Sequence, residues 1–135
     1  MNISLETALE VIAAAKKKAR DISVPMVIAV VDAGANLVAL QRMDDALLAS
    51  VEIAADKAYT AVALKMPTAQ LAQPSQPGQP LFGLNAVSGG RIIIFGGGIP
   101  LKKDGRIIGG VGVSGGSVED DQACAQAGVD RLAEP

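Results

Sequence analysis

Residues 26–43 read MVIAVVDAGANLVALQRM, and this stretch decides the fold. Met26 to Asp32 is apolar almost throughout, as in a strand buried on both faces. Gly34 and Asn36 supply a turn, and Leu37 to Met43 forms the return strand. So short a connection joins antiparallel neighbours, because parallel strands need a long crossover.

Working outward, residues 4–20 read as a helix. Leu5, Ala8, Leu9, Ile12, Ala15 and Ala19 recur at steps of three and four. Ser4 is its expected N-cap, and Lys16 to Arg20 suit the negative end of the helix dipole or form an anion patch. A second helix spans about 46–65, with Leu47, Val51, Ala54, Ala58 and Val62 on one stripe, and Pro67 ends it. The run QPSQPGQP at 73–80 must be a loop. Ile92 to Phe95 is the expected third strand, followed by Gly96, Gly97 and Gly98. Ile99 to Lys103 and Arg106 to Val113 follow as strands around Asp104-Gly105, and a helix closes the chain from Ser117 to Leu132. The pattern predicts one α+β domain over 1–135, with a mainly antiparallel five-stranded sheet.

Of the 135 residues, half are apolar, yet aromatics make up 2% and the net charge is −2. A dedicated nucleic-acid binder would show a basic patch and stacking aromatics, and this chain does not. Nor does it offer a polybasic stretch or a run near the ~20 apolar residues of a membrane span. Without a signal-peptide pattern, a cytoplasmic location is expected. Histidine is absent and cysteine occurs once, at Cys124. That excludes Ser-His and Cys-His nucleophile pairs, a histidine base and any ordinary zinc site, so no metal site is expected. Alanine-rich helices and Ile/Val strands, with mean hydropathy +0.35, carry more apolar surface than a small monomer hides. A homo-oligomer is expected.

Gly110-Val-Gly112-Val-Ser114-Gly115 matches G-x-G-x-x-G, but only twenty residues follow, too few for the rest of a dinucleotide fold. Ser114, Gly115, Gly116 and Ser117 offer backbone donors at a helix start. They are either an anion seat or, with Asp120, a plain capping box. Gly96, Gly97 and Gly98 after a strand need bare backbone, for a ligand or for a tight chain crossing. Arg42 either forks onto a ligand carboxylate or pairs with Asp44 or Asp32. Lys57 either points into a pocket, as a cation, base or ligand, or lies exposed beside Asp56. Tyr59 stacks, ligates or packs, and the methionines read as core filler.

Six stretches in series resemble one family: IAVVD (28–32), LVALQRMD (37–44), KAYTA (57–61), PLFGL (80–84), GGIPL (97–101) and DGRIIGGVGVSGG (104–116). The chain is similar to the family of GlcG proteins, also called HbpS-like or haem-degrading, and to the C-terminal domain of PduO-type proteins. That resemblance implies a profilin-like three-layer α/β/α fold, self-association, and a haem or corrinoid guest linked to glycolate, diol or glycerol metabolism. Family members frequently carry a histidine after the hairpin glycine, where this chain has Asn36. Binding without histidine ligation is therefore expected.

The leading expectation is a small-molecule-binding accessory protein whose guest enters between the sheet and the loops at Pro74–Gly83 and Gly96–Pro100. The binding residues are Arg42, Lys57, Tyr59, Gly96, Gly97, Gly98, Ser114, Gly115 and Gly116. The alternative from another class is an enzyme on a small hydroxy- or oxo-acid. There Arg42 anchors the carboxylate, and Lys57 or Asp32 moves a proton. A structural partner in a metabolic complex is the third.

Overall fold

The computed structural model describes residues 1–134. In chain order the elements are α1 (Leu5–Asp21), β1 (Val27–Asp32), β2 (Leu37–Arg42), α2 (Leu48–Leu64), β3 (Gly98–Lys103), β4 (Arg106–Ser114) and α3 (Val118–Ala133). Three short 3-10 turns lie between α2 and β3.

The hairpin forms as its sequence requires, with β1 antiparallel to β2 and Val27 opposite Arg42. Asp32 fixes the turn, its Oδ1 accepting from the backbone N–H of Gly34 at 2.9 Å and of Asn36 at 3.0 Å. On its other side β1 pairs with β4, and β4 pairs with β3, all antiparallel, giving the order β2-β1-β4-β3. The sheet has four strands rather than the expected five. Ile92 to Phe95 stays outside it, its Ile93 N–H turned to α2. The Thr60 hydroxyl accepts from the Ile93 N–H at 3.0 Å and lies 3.1 Å from the Arg91 carbonyl. The strand starts instead at Gly98.

Alternation along β1 divides the core. Ile28 and Val30 pack with Ala8, Val11, Ile12, Ala15 and Ala19 of α1 and with Cys124 and Ala125 of α3. Val27 and Ala29 pack with Ala54 of α2, and Val31 with Ala58 and Val62. Each fully buried Ile or Val contributes about 1.5–3 kcal/mol relative to exposure.

Ser4 caps α1, its hydroxyl accepting from the Thr7 N–H at 3.1 Å, and Ser117 caps α3 through the Asp120 N–H at 3.1 Å. The G-x-G-x-x-G glycines serve packing. A Cβ at Gly112 would strike the Ala54 carbonyl, and one at Gly110 would lie 2.8 Å from the Ala58 oxygen. Bare backbone lets α2 lie against β4. Among the described residues, no helix is long and apolar enough to cross a membrane.

Candidate functional site: a buried ion pair under an apolar platform

The close approach of α2 to β4 carries Lys57 inside. It follows Ala54 by three residues, on the same stripe, and is 0% exposed. Its ammonium donates to the Val113 carbonyl at 2.9 Å and to Asp121 Oδ2 at 2.8 Å. The Phe95 ring lies 5.1 Å from Nζ, within cation–π range. Asp121, in the first turn of α3, also accepts the Gly116 N–H on Oδ1 at 2.9 Å. Of the two readings of Ser114–Ser117, the cap is formed by Ser117, and the Gly116 N–H is taken by the protein's own Asp121.

Burial dominates the electrostatics of the pair. It pushes Lys57 below its ordinary pKa, against the opposing pull of Asp121. It also pushes Asp121 above its ordinary value, against the Lys57 bond and the Gly116 N–H. Both shifts are the mark of charges whose desolvation outweighs their attraction.

The triple glycine is filled by the same lysine. A Cβ at Gly97, where φ is +127°, would sit 2.6 Å from Lys57 Nζ, and one at Gly98 would meet the Lys57 carbonyl and lie 2.8 Å from Thr68 Cγ2. The Thr68 hydroxyl accepts from the Gly98 N–H at 2.9 Å. The expected opening at Gly97 and Gly98 is therefore a tight chain crossing, because the Lys57 side chain and the α2 backbone at Lys57 need the space two side chains would occupy.

Other expected site residues are dispersed. Ser114 is buried, its hydroxyl donating to Ser50 at 3.1 Å. Tyr59 is two residues from Lys57 and so on another helix face. There the Arg91 guanidinium covers its ring at 3.7 Å, with Arg91 Nε 3.3 Å from Asp56 Oδ1. Asp32 holds the hairpin turn. Arg42 is exposed at the end of β2 and forms no ion pair with Asp44 or Asp32. Its surroundings are Lys16, Arg20, Gln41, Met43 and Asp44. The acid-anchoring arrangement of Arg42 with Lys57 or Asp32 is thus not assembled. Lys57 is not the exposed lysine that Asp56 suggested either. Asp121 and Phe95 are the partners of Lys57 that the sequence did not disclose. The available signal was Lys57 itself, a charge on an alanine stripe that needs a partner.

Over the buried pair lies an apolar platform. Phe95 is 40% exposed and Val118 41%. They flank Gly96, where an added Cβ would lie 3.1 Å from Val118 Cγ1 and 3.3 Å from Gln122 Oε1. Gln122 Oε1 also accepts the Gly97 N–H at 3.1 Å.

The platform does not suit iron ligation. The Cys124 thiol is buried, and burial, with the nearby Asp121 and Asp120 carboxylates, pushes its pKa to about 11. Lys57 is held by two hydrogen bonds, Met26 is buried, and Tyr59 lies under Arg91. Asn36 is a turn residue whose side chain donates to Asp32 Oδ1 at 3.2 Å. No group of three His, Cys, Asp or Glu residues among those described could hold a metal. None of these side chains is free to ligate iron.

Residues 3–130 match the family model described as "Haem degrading protein HbpS-like". An uncharacterized 15.0 kDa protein of the dhaT-dhaS intergenic region of Citrobacter freundii is 45% identical over 141 residues, covering 99% of each chain. The corrinoid adenosyltransferase PduO of the same organism is 42% identical over 129 residues, spanning 96% of this chain but 38% of that protein. Among solved structures, a PduOC–haem complex superposes with a TM-score of 0.93 at 42% identity, covering 97% of this chain and 95% of the other. By fold, sequence and extent of match, this chain belongs to the HbpS-like family.

Proposed function

We propose that this chain is a small accessory protein that binds a tetrapyrrole, haem or a corrinoid, on the surface formed by Phe95, Gly96 and Val118. The observation that carries this reading is its near-complete likeness to the PduOC–haem complex. The corrinoid named for the PduO relative belongs to the same ligand class. On this reading the ring is held by its face and edges, since Lys57, Tyr59, Cys124 and Met26 are each buried or engaged elsewhere. Lys57 and Asp121 shape the floor beneath it. We place its role in storage or delivery, in diol, glycerol or glycolate metabolism, and assign it no turnover.

The same reading takes the helices, with α2 against Val27, Ala29 and Val31 and α1 and α3 against Ile28 and Val30, as the profilin-like three-layer form. It also assigns a second copy to the outer apolar surface. Leu48, 89% exposed, and Phe82, 67% exposed, are residues such a copy would cover.

Titration with haemin, metal-free protoporphyrin and cobalamin, followed by absorbance and fluorescence quenching, tests the ligand class. Saturable binding of haemin and protoporphyrin with affinities within about tenfold of each other supports a face-held ring. Absence of saturable binding of all three at micromolar concentration removes the reading.

A further inference from the structure

Away from the Lys57 pair, the last turns of α1 and the end of β2 enclose an open recess of about 480 Å³. Its walls are Lys16, Arg20, Gln41, Arg42, Met43 and Asp44. Lys16 and Arg20 are four residues apart and share one helix face, and Arg42 joins them from β2. None of the three cations is ion-paired among the described residues. The pairs among the described residues use Lys17, Lys57, Arg91 and Arg131 instead. Lys16 Nζ donates to Gln41 Oε1 at 2.8 Å, which leaves the Gln41 Nε2 hydrogens without a partner among the described residues.

This concentration of positive charge stands out in a chain of net charge −2. Three cations face one carboxylate, Asp44, so they repel one another until an anion neutralises them. Two guanidinium forks, a lysine ammonium and an amide are a donor set that exceeds its acceptors, Asp44 and Gln41 Oε1. Planar forks favour carboxylate and phosphate oxygens over a simple halide. An ordinary solvated helix end accounts for Lys17 and Lys18, but not for the convergence of Arg42 from another element.

We propose that this recess binds a small oxyanion carrying two or more negative charges, a polycarboxylate or a phosphate. Lys16, Arg20 and Arg42 supply the charge, and Gln41 the neutral donor. The site shares no residue with the Lys57 cluster, so its occupancy is independent of tetrapyrrole binding.

The test is an amide and arginine side-chain NMR titration of ¹⁵N-labelled protein with citrate, with inorganic phosphate, and with sodium chloride at matched ionic strength. Saturable shifts are expected at residues 16–21 and 41–44 and at the Nε–H signals of Arg20 and Arg42. The tighter of citrate and phosphate identifies the preferred anion class. Arg42→Gln is expected to weaken binding about tenfold, the loss of one charge-assisted contact. Asp44→Asn is expected to tighten it about two- to fivefold by removing the opposing charge. Arg20→Gln carries the same test should Arg42→Gln disturb the spectrum as a whole. Equal shifts with chloride, shifts located elsewhere, or affinity unchanged in both arginine variants overturns the proposal.

Discussion

Lys57 and Asp121, 64 residues apart in sequence, meet at 2.8 Å with side chains 0% and 5% exposed, tying the middle of α2 to the first turn of α3. Through Val113 and Gly116 the pair also grips the end of β4 and the turn that follows. It sets the floor of the Phe95–Val118 platform, although burial makes each charge costly on its own.

Removing one partner leaves the other charge buried alone. Lys57→Met is expected to destabilise the fold by about 3–5 kcal/mol. The double variant Lys57→Met/Asp121→Asn, which keeps an acceptor for the Gly116 N–H, is expected to recover a large part of that loss. Urea denaturation of the wild type, both single variants and the double variant measures the coupling. A double variant no more stable than its weaker parent would show that the charges act separately.

Glycines at 110 and 112 set the distance between α2 and β4. Gly112→Ala drives a methyl into the Ala54 carbonyl and is expected to cost about 3 kcal/mol or more. Gly78→Ala, at φ +84° with nothing within 4 Å, bears the backbone strain alone, about 1 kcal/mol. Equal thermal shifts in the two variants would contradict the packing role.

Asp32 gives the hairpin a defined acid response. Backbone donation from Asn36, chiefly, with further bonds from the Asn36 side chain and Gly34, holds its carboxyl below the ordinary value. A depressed folded-state pKa stabilises the fold above the unfolded value, near pH 4, and that share is lost as pH falls through the folded value. Asp32→Ala should therefore be less stable than wild type at pH 7. The gap should narrow below about pH 4 in urea titrations across pH 2–7. A pH-independent gap would assign the effect to side-chain packing.

Much of the architecture was legible because periodicity and punctuation act locally. The α1 stripe, the Gly34–Asn36 turn and the Ser117 cap are each settled by neighbours a few residues away. Ile92–Phe95 misled because its apolar, β-branched run has strand propensity, whereas the Ile93 N–H and the Arg91 carbonyl just before the run bond to Thr60, about thirty residues back. Family membership was readable from motifs in series. The site was legible only in part. Lys57 and the two glycine clusters stood out, but their common cause, α2 pressed onto β4 with Asp121 closing the gap, depends on contacts between distant segments. Arg42 was recognised singly, and its companions Lys16 and Arg20 emerge only when α1 lies beside β2.

The central claim is that a tetrapyrrole rests on Phe95 and Val118. The most direct test is a haemin isotherm for wild type, Phe95→Ala and Val118→Glu, with Phe82→Ala as a control on another exposed aromatic. Loss of ring stacking at Phe95 is expected to weaken binding about tenfold, a charge at position 118 at least as much, and Phe82→Ala little. Wild-type affinity retained in both Phe95→Ala and Val118→Glu would contradict the account.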